Sequence, residues 1–133
     1  MKIIKPVDLI VINNNKILLL KRTEKDSHEP GKWGVPGGGS KLGETPEQTL
    51  KREIKEETNC KITWFKLFNK YEYIFENTPI EVIYYYGKIT GDLKISNEHS
   101  QFKWFHFSEI KNLDLGFNQK QVLLEFIKTY NKT

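Results

Sequence analysis

Glu53, Glu56 and Glu57 stand at positions i, i+3 and i+4 of a segment that reads as a helix. Such residues are surface neighbours, with Cβ atoms about 5–6 Å apart on an arc of roughly 100°. Like charges held that close repel, and an ordinary solvated helix gains nothing from keeping them together. Arg52 and three glycines, Gly37, Gly38 and Gly39, lie nearby in the chain. Hard oxygen donors beside bare backbone fit a divalent cation seated between the carboxylates.

The helix that must carry these acids has clear punctuation. Thr45 is placed as an N-cap, Pro46 as the first helical residue, and Gln48 completes a Thr-x-x-Gln capping box. Leu50 and Ile54 lie four apart and form a core-facing stripe beside the acid face. Asn59 suits a left-handed C-terminal position. One helix therefore has a side to bury and a side to charge.

Around it the chain alternates between runs and breaks. Val7 to Ile12 is rich in β-branched residues, Asn13-Asn14-Asn15 signals a turn, and Lys16 to Lys21 is a second apolar run, which together predict a hairpin. Thr23 to Trp33 is polar and predicts a surface loop, and Val35 to Gly39 predicts a tight, side-chain-free turn. Aromatic and β-branched runs at Ile62–Phe68, Tyr71–Phe75, Ile80–Ile89 and Phe102–Phe107 predict strands, with a turn at Gly91-Asp92. Asn118 to Tyr130 carries apolar residues at helical spacing and predicts an amphipathic closing helix.

The chain has 133 residues, which suits one domain over 1–133 with its own core. Its apolar content of 38% and aromatic content of 13% argue against disorder. The net charge is +4, yet of 21 basic residues all but Arg22 and Arg52 are lysine. A surface evolved for nucleic acid would be expected to use arginine forks, so a dedicated nucleic-acid binder is not the reading. A mild positive field still helps gather a polyanionic small molecule. Cys60, the sole cysteine, excludes an internal disulfide and a cysteine-based zinc site. The N-terminal apolar run is cut by Pro6 and Asp8, fitting neither a signal peptide nor a membrane span, and the protein is expected to be cytoplasmic. His28, His99 and His106 have no metal-ligand spacing and are read as surface or packing residues.

Gly38, five residues, Glu44, seven residues, then Arg52-Glu53-Ile54-Lys55-Glu56-Glu57 resembles the signature of the Nudix (MutT-like) hydrolases, G-x5-E-x7-R-E-U-x-E-E-x-G-U, where U is aliphatic. The match runs from residue 38 to 60, with Asn59 replacing the usual glycine and Cys60 the usual aliphatic residue. Both replacements are mild, because asparagine tolerates the left-handed conformation and cysteine packs as a small hydrophobe.

The resemblance implies an α+β fold, an α/β/α sandwich with a central mixed sheet. It also implies Mg2+ held by Glu53, Glu56, Glu57 and the Gly37 carbonyl, with Mn2+ able to substitute. Such an ion polarises phosphoryl oxygens and activates a water. Arg52 is expected to hold the acids in place. Glu44 has two open readings, a helix-dipole partner or a support for the catalytic acids. The general base is Glu53 or Glu98, the latter in a polar loop before the Phe102–Phe107 run. On the substrate side, Gly38 belongs to the glycine turn, Trp33 can line the entrance and Tyr73 can stack a base. Asn118 either caps the last helix or reads a purine, and Arg22, Lys21 and Lys120 are candidate phosphate neighbours.

The activity implied is cleavage of a pyrophosphate bond in a nucleoside diphosphate linked to another group. The leading substrate is a nucleoside triphosphate, ordinary or oxidised, giving a monophosphate and pyrophosphate. ADP-ribose or a nucleotide sugar is the alternative, although Pro79 and Tyr73 miss the spacings that mark ADP-ribose and diadenosine polyphosphate hydrolases. A non-catalytic nucleotide- or RNA-binding module is the other alternative, and intact signature acids weigh against it. Monomer and homodimer remain open.

Overall fold

The computed structural model describes residues 4–130. In chain order it contains strands β1 (Pro6–Asn13), β2 (Lys16–Arg22), β3 (Trp33–Gly34) and β4 (Gly37–Gly39), and helix α1 (Pro46–Thr58). Strands β5 (Lys61–Phe75), β6 (Thr78–Thr90) and β7 (His99–His106) follow, then a 3-10 helix over Phe107–Asn112 and helix α2 (Gln119–Tyr130). The architecture is the expected mixed sheet between helices.

β1 is the pivot. It runs parallel to β6 from Val7 to Val11 and antiparallel to β4 from Pro6 to Asp8. β2 pairs with β7 on one side and β3 on the other. The predicted hairpin between β1 and β2 exists but pairs only Ile12 with Ile17 and Asn13 with Lys16. Beyond that the two strands part, because β4 takes the same edge of β1. The stretch expected to turn at Gly37–Gly39 is thus a short strand. The reason is steric: a Cβ on Gly37 would collide with the Asp8 carboxylate and the Val7 carbonyl.

The two runs at Ile62–Phe68 and Tyr71–Phe75 are one strand, β5, paired with β6 through register shifts at Ile62/Trp64 and Leu67/Asn69. Bulges of this kind absorb an extra residue without ending the ladder. Glu76 and Asn77, both at positive φ, close the β5–β6 hairpin.

Alternation along β1 sorts the core onto two faces. Val7, Leu9 and Val11 pack with Leu18, Leu20 and the α1 residues Leu50 and Ile54. Ile10 and Ile12 pack with Tyr84, Phe105 and the α2 residues Val122, Leu123 and Phe126. Leu50 and Ile54 are fully buried, each contributing about 1.5–3 kcal/mol. Repulsion between helical acids costs only a few tenths of a kcal/mol per pair, so packing decides the position of α1. No helix among the described residues is long and apolar enough to cross a membrane.

Candidate active site

The predicted capping box holds the start of α1. The Thr45 hydroxyl accepts from the Gln48 N–H at 3.2 Å and the Gln48 side chain accepts from the Thr45 N–H at 2.9 Å. At the other end Asn59 is left-handed, φ 65°, with its N–H bonded to the Lys55 carbonyl. Between these ends, the helix lays Glu53 and Glu57 against the glycine strand. The Gly37 N–H donates to Glu57 at 2.7 Å. A Cβ on Gly38 would come within 2.6 Å of the Glu53 carboxyl carbon. The glycines are therefore what allows the acids to approach the backbone.

Arg52 binds the cluster together. Its Nε and Nη2 grip both Glu44 oxygens at 2.7 and 2.9 Å, and Nη1 donates to Glu53 at 2.7 Å. Nη1 also reaches Glu56 at 3.2 Å, and Nη2 donates to the Gly39 carbonyl at 2.9 Å. Glu44 further accepts from the Lys41 N–H at 2.7 Å and the Thr49 hydroxyl at 3.2 Å. Led by the Arg52 hydrogen bonds, these donors hold its carboxyl down at about 2. Glu44 thus shares Arg52 with Glu53 and Glu56.

Glu57 and Glu53 behave in the opposite way. Burial first, and then the charges of Glu53, Asp8 and Glu98, push the Glu57 carboxyl well up against the opposing Gly37 N–H. Burial also raises Glu53, though Arg52 pulls it back. A third carboxylate joins them: Asp8 on β1 is raised from 3.8 to about 7 by burial and by Glu53, with Arg22 and the Tyr84 hydrogen bond opposing. Glu98 stands exposed in the turn just before β7, close enough for its charge to act on both Glu53 and Glu57. The site holds more negative charge than Arg52 neutralises, and its donors are hard oxygens. That chemistry fits a divalent cation such as Mg2+ or Mn2+. In this arrangement Glu53 and Glu56 turn to Arg52 and Glu57 to Gly37. Among the described residues no three acids, histidines or cysteines are gathered into a finished metal cage.

Of the signature acids, Glu57 opens into a cavity of about 310 Å³. Gly37, Gly38, Glu57 and Asp8 line it, Tyr73, Phe75, Phe117 and Tyr84 supply aromatic surface, and Gln119 lines it as well. Of the predicted substrate residues, Arg22, Gly38 and Tyr73 line it. Arg22 is already engaged, with Asp26 at 2.8 Å and the His28 carbonyl at 2.8 Å, and lies 5.7 Å over the Phe117 ring. Trp33 packs edge-on against Phe105 at 4.9 Å, in the α2-side core rather than on the cavity wall. Asn118 stands between two lining residues, Phe117 and Gln119, and its buried side-chain oxygen has no hydrogen-bond partner, so it does not cap α2. Lys21 and Lys120 are not among the lining residues.

Sequence reasoning missed Asp8, Tyr84, Phe117 and Gln119. Asp8 had a signal, a lone acid inside a β-branched run. His28 and His99, read as bland, also line the cavity. His106 does not; it caps the 3-10 helix.

The fold is a mixed sheet between two helices, with an arginine-tied acid helix laid on a glycine strand. The chain belongs to the Nudix family: the NUDIX domain model matches residues 4–126. It is 39% identical over 71 residues to the 8-oxo-dGTP diphosphatase of Escherichia coli, covering 53% of this chain and 55% of that enzyme. It is 29% identical over 128 residues to the ADP-ribose pyrophosphatase of Methanocaldococcus jannaschii, covering 94% and 73%. The chain thus spans about half of the first relative and about three quarters of the second. The crystal structure of a MutT protein from Methanosarcina mazei superposes with a TM-score of 0.85 over 98% of this chain and 96% of that one, at 24% identity. That likeness shows the fold.

Proposed function

We propose that the protein hydrolyses a pyrophosphate bond in a nucleoside triphosphate, releasing a nucleoside monophosphate and pyrophosphate. The observation that carries this reading is the continuity of acids and cavity. Gly37, Gly38 and Glu57 border the same space as Tyr73, Phe75 and Phe117, so a nucleotide with its base among the aromatic rings presents its phosphates to the acids.

Glu53, Glu56, Glu57 and the Gly37 backbone would hold Mg2+, with Mn2+ as a substitute. Bound there, the ion supplies charge neutralisation for the phosphates and a lowered pKa for water. Arg52 and Glu44 act by position, fixing the rotamers of Glu53 and Glu56. Glu53 and Glu98 are the two candidates for the base that takes the proton of the attacking water. Burial strengthens Glu53 as a base, while Glu98 is exposed.

Turnover of a panel tests the proposal: ordinary and oxidised nucleoside triphosphates, ADP-ribose and a nucleotide sugar, each with and without magnesium. A triphosphate should turn over fastest, and only with a divalent ion. No turnover of any substrate would overturn the enzyme reading. A preference for ADP-ribose would move the assignment to the second reading, which the archaeal relative's name favours. Glu57→Gln should lower kcat by at least about a hundredfold while the protein stays folded. A rate near that of the parent would refute the metal assignment. Oxygen-18 water identifies the phosphorus attacked.

A further inference from the structure

We propose that the open edge of β5 is a self-association surface, on which a second copy of this chain pairs antiparallel with the twofold axis passing through Tyr71. The proposal stands apart from the hydrolase reading and uses none of its acids.

The backbone supplies the first argument. β5 ends the sheet, with β6 on one side and no described strand on the other. A strand edge 15 residues long is a template for another strand unless something blunts it. Hydrogen bonds on β6 fix which groups face that edge. The Pro79 carbonyl accepts from the Ile4 N–H at 3.2 Å and the Glu81 N–H donates to the Ile4 carbonyl at 2.9 Å, so both residues turn their backbone groups away from β5. Opposite them in the ladder stand Ile74 and Glu72, and Lys70 follows by alternation. These three therefore turn their own N–H and C=O groups outward. The Lys70 N–H agrees, since it donates to the Asn69 side-chain oxygen at 2.8 Å rather than to β6.

The side chains on this stretch are self-complementary. Lys70 pairs with Ile83 and Leu67 with Tyr85, both on the α1 face of the sheet, and Phe68 is the extra residue of the bulge between them. Leu67, Lys70, Glu72 and Ile74 thus share one face. All four are exposed, Leu67 at 55% and Ile74 at 74%. Among the described residues neither Lys70 nor Glu72 has an ion-pair partner. In order the four read apolar, positive, negative, apolar. Reversed about Tyr71, Lys70 of each copy meets Glu72 of the other, and across the bulge Leu67 of each meets Ile74 of the other.

The register is selective. Outward groups must meet outward groups, so the axis passes through a residue. Centring it on Lys70 or on Glu72 would set like charges face to face, which is destabilising. An extended segment of another protein would need no such symmetry, and for that reason the occupant is a second copy.

Sedimentation velocity tests this over a concentration series reaching the millimolar range, in about 0.1 M salt, where contacting charges are not screened out. The parent should shift from monomer to dimer as concentration rises. Lys70→Glu and Glu72→Lys, each alone, place like charges in both pairs and should weaken association at least about tenfold. Mixed together, the two variants present acid to lysine at every pair and should associate about as tightly as the parent. The double variant Lys70→Glu/Glu72→Lys, with the pattern reversed, should also dimerise, and it decides the matter if either single variant fails to fold by circular dichroism. A parent that stays monomeric would overturn the proposal and leave the edge to another protein's strand. So would a dimer that both single variants leave intact, or folded variants that remain apart when mixed. No nucleotide enters the measurement, so failure of the hydrolase reading would leave this result untouched.

Discussion

At the scale of single residues, Arg52 shows why identity matters more than charge. Its planar fork grips both oxygens of Glu44 while a third nitrogen holds Glu53, and a lysine ammonium cannot reproduce that geometry. Arg52→Lys should therefore lower kcat by about ten- to a hundredfold with little change in KM, because Arg52 acts on the acids and makes no contact with the cavity. Steady-state kinetics check this, and an unchanged kcat would show that the acids hold their places unaided. The motif residues were legible because their spacing is local: Glu44, Arg52, Glu53 and Glu57 sit within four turns of helix and its lead-in. Asp8 and Gln119 were not, since what makes each notable is a neighbour far away in the chain. Gln119 bonds Val35 and Asp8 meets Gly37 only after the sheet has formed.

At the scale of elements, the site is α1 laid on β4, and each depends on a local rule. Gly37→Ala should abolish turnover and destabilise the fold by about 2 kcal/mol or more, since the added methyl meets the Asp8 carboxylate and the Val7 carbonyl. Urea denaturation measures the second effect, and a midpoint unchanged from the parent would contradict the steric argument. Asn59 makes the contrasting case, at φ 65° where the family signature carries glycine. Asn59→Gly should be tolerated within a few tenths of a kcal/mol. Asn59→Ala should cost about 1 kcal/mol, because alanine lacks both glycine's freedom and the asparagine side chain's bond to the Asp92 carbonyl at 3.0 Å. Helix α1 was readable from its capping box and its left-handed end at Asn59. The short strands β3 and β4 were not, because two or three residues carry no periodicity and are strands only through what lies beside them.

At the scale of the whole molecule, buried acids set the pH response. Asp8 binds its proton more tightly folded than unfolded, its value rising from 3.8 to about 7, and Glu57 shifts in the same direction. A raised carboxylate contributes stability that is fully present below its unfolded value and lost as pH rises through its folded value. For Asp8 that loss is up to roughly 4 kcal/mol across the window. Glu44 and Asp26, both lowered, act in the opposite sense and lose their contribution only in acid. Through Asp8 the metal-free protein should therefore become less stable between about pH 4 and 7, and Asp8→Asn should flatten that slope. Thermal melts across the range test it; a stability that rises with pH would show that the acids are not desolvated as described. Magnesium should restore stability at the upper end, by binding the folded form.

The amino-acid sequence by itself determined the acid helix, its caps, the tying arginine and the alternation that sorts the core residues, because each is encoded within a few neighbouring positions. It also carried the family resemblance, and with it the α+β sandwich. The tertiary structure alone decided that β4 displaces β2 from the edge of β1, that β5 is one continuous strand, and that Asp8, Tyr84 and Gln119 share a cavity with Glu57. Those outcomes come from contacts between segments distant in the chain, where a missing Cβ or the direction of a strand's alternation settles which side chains meet.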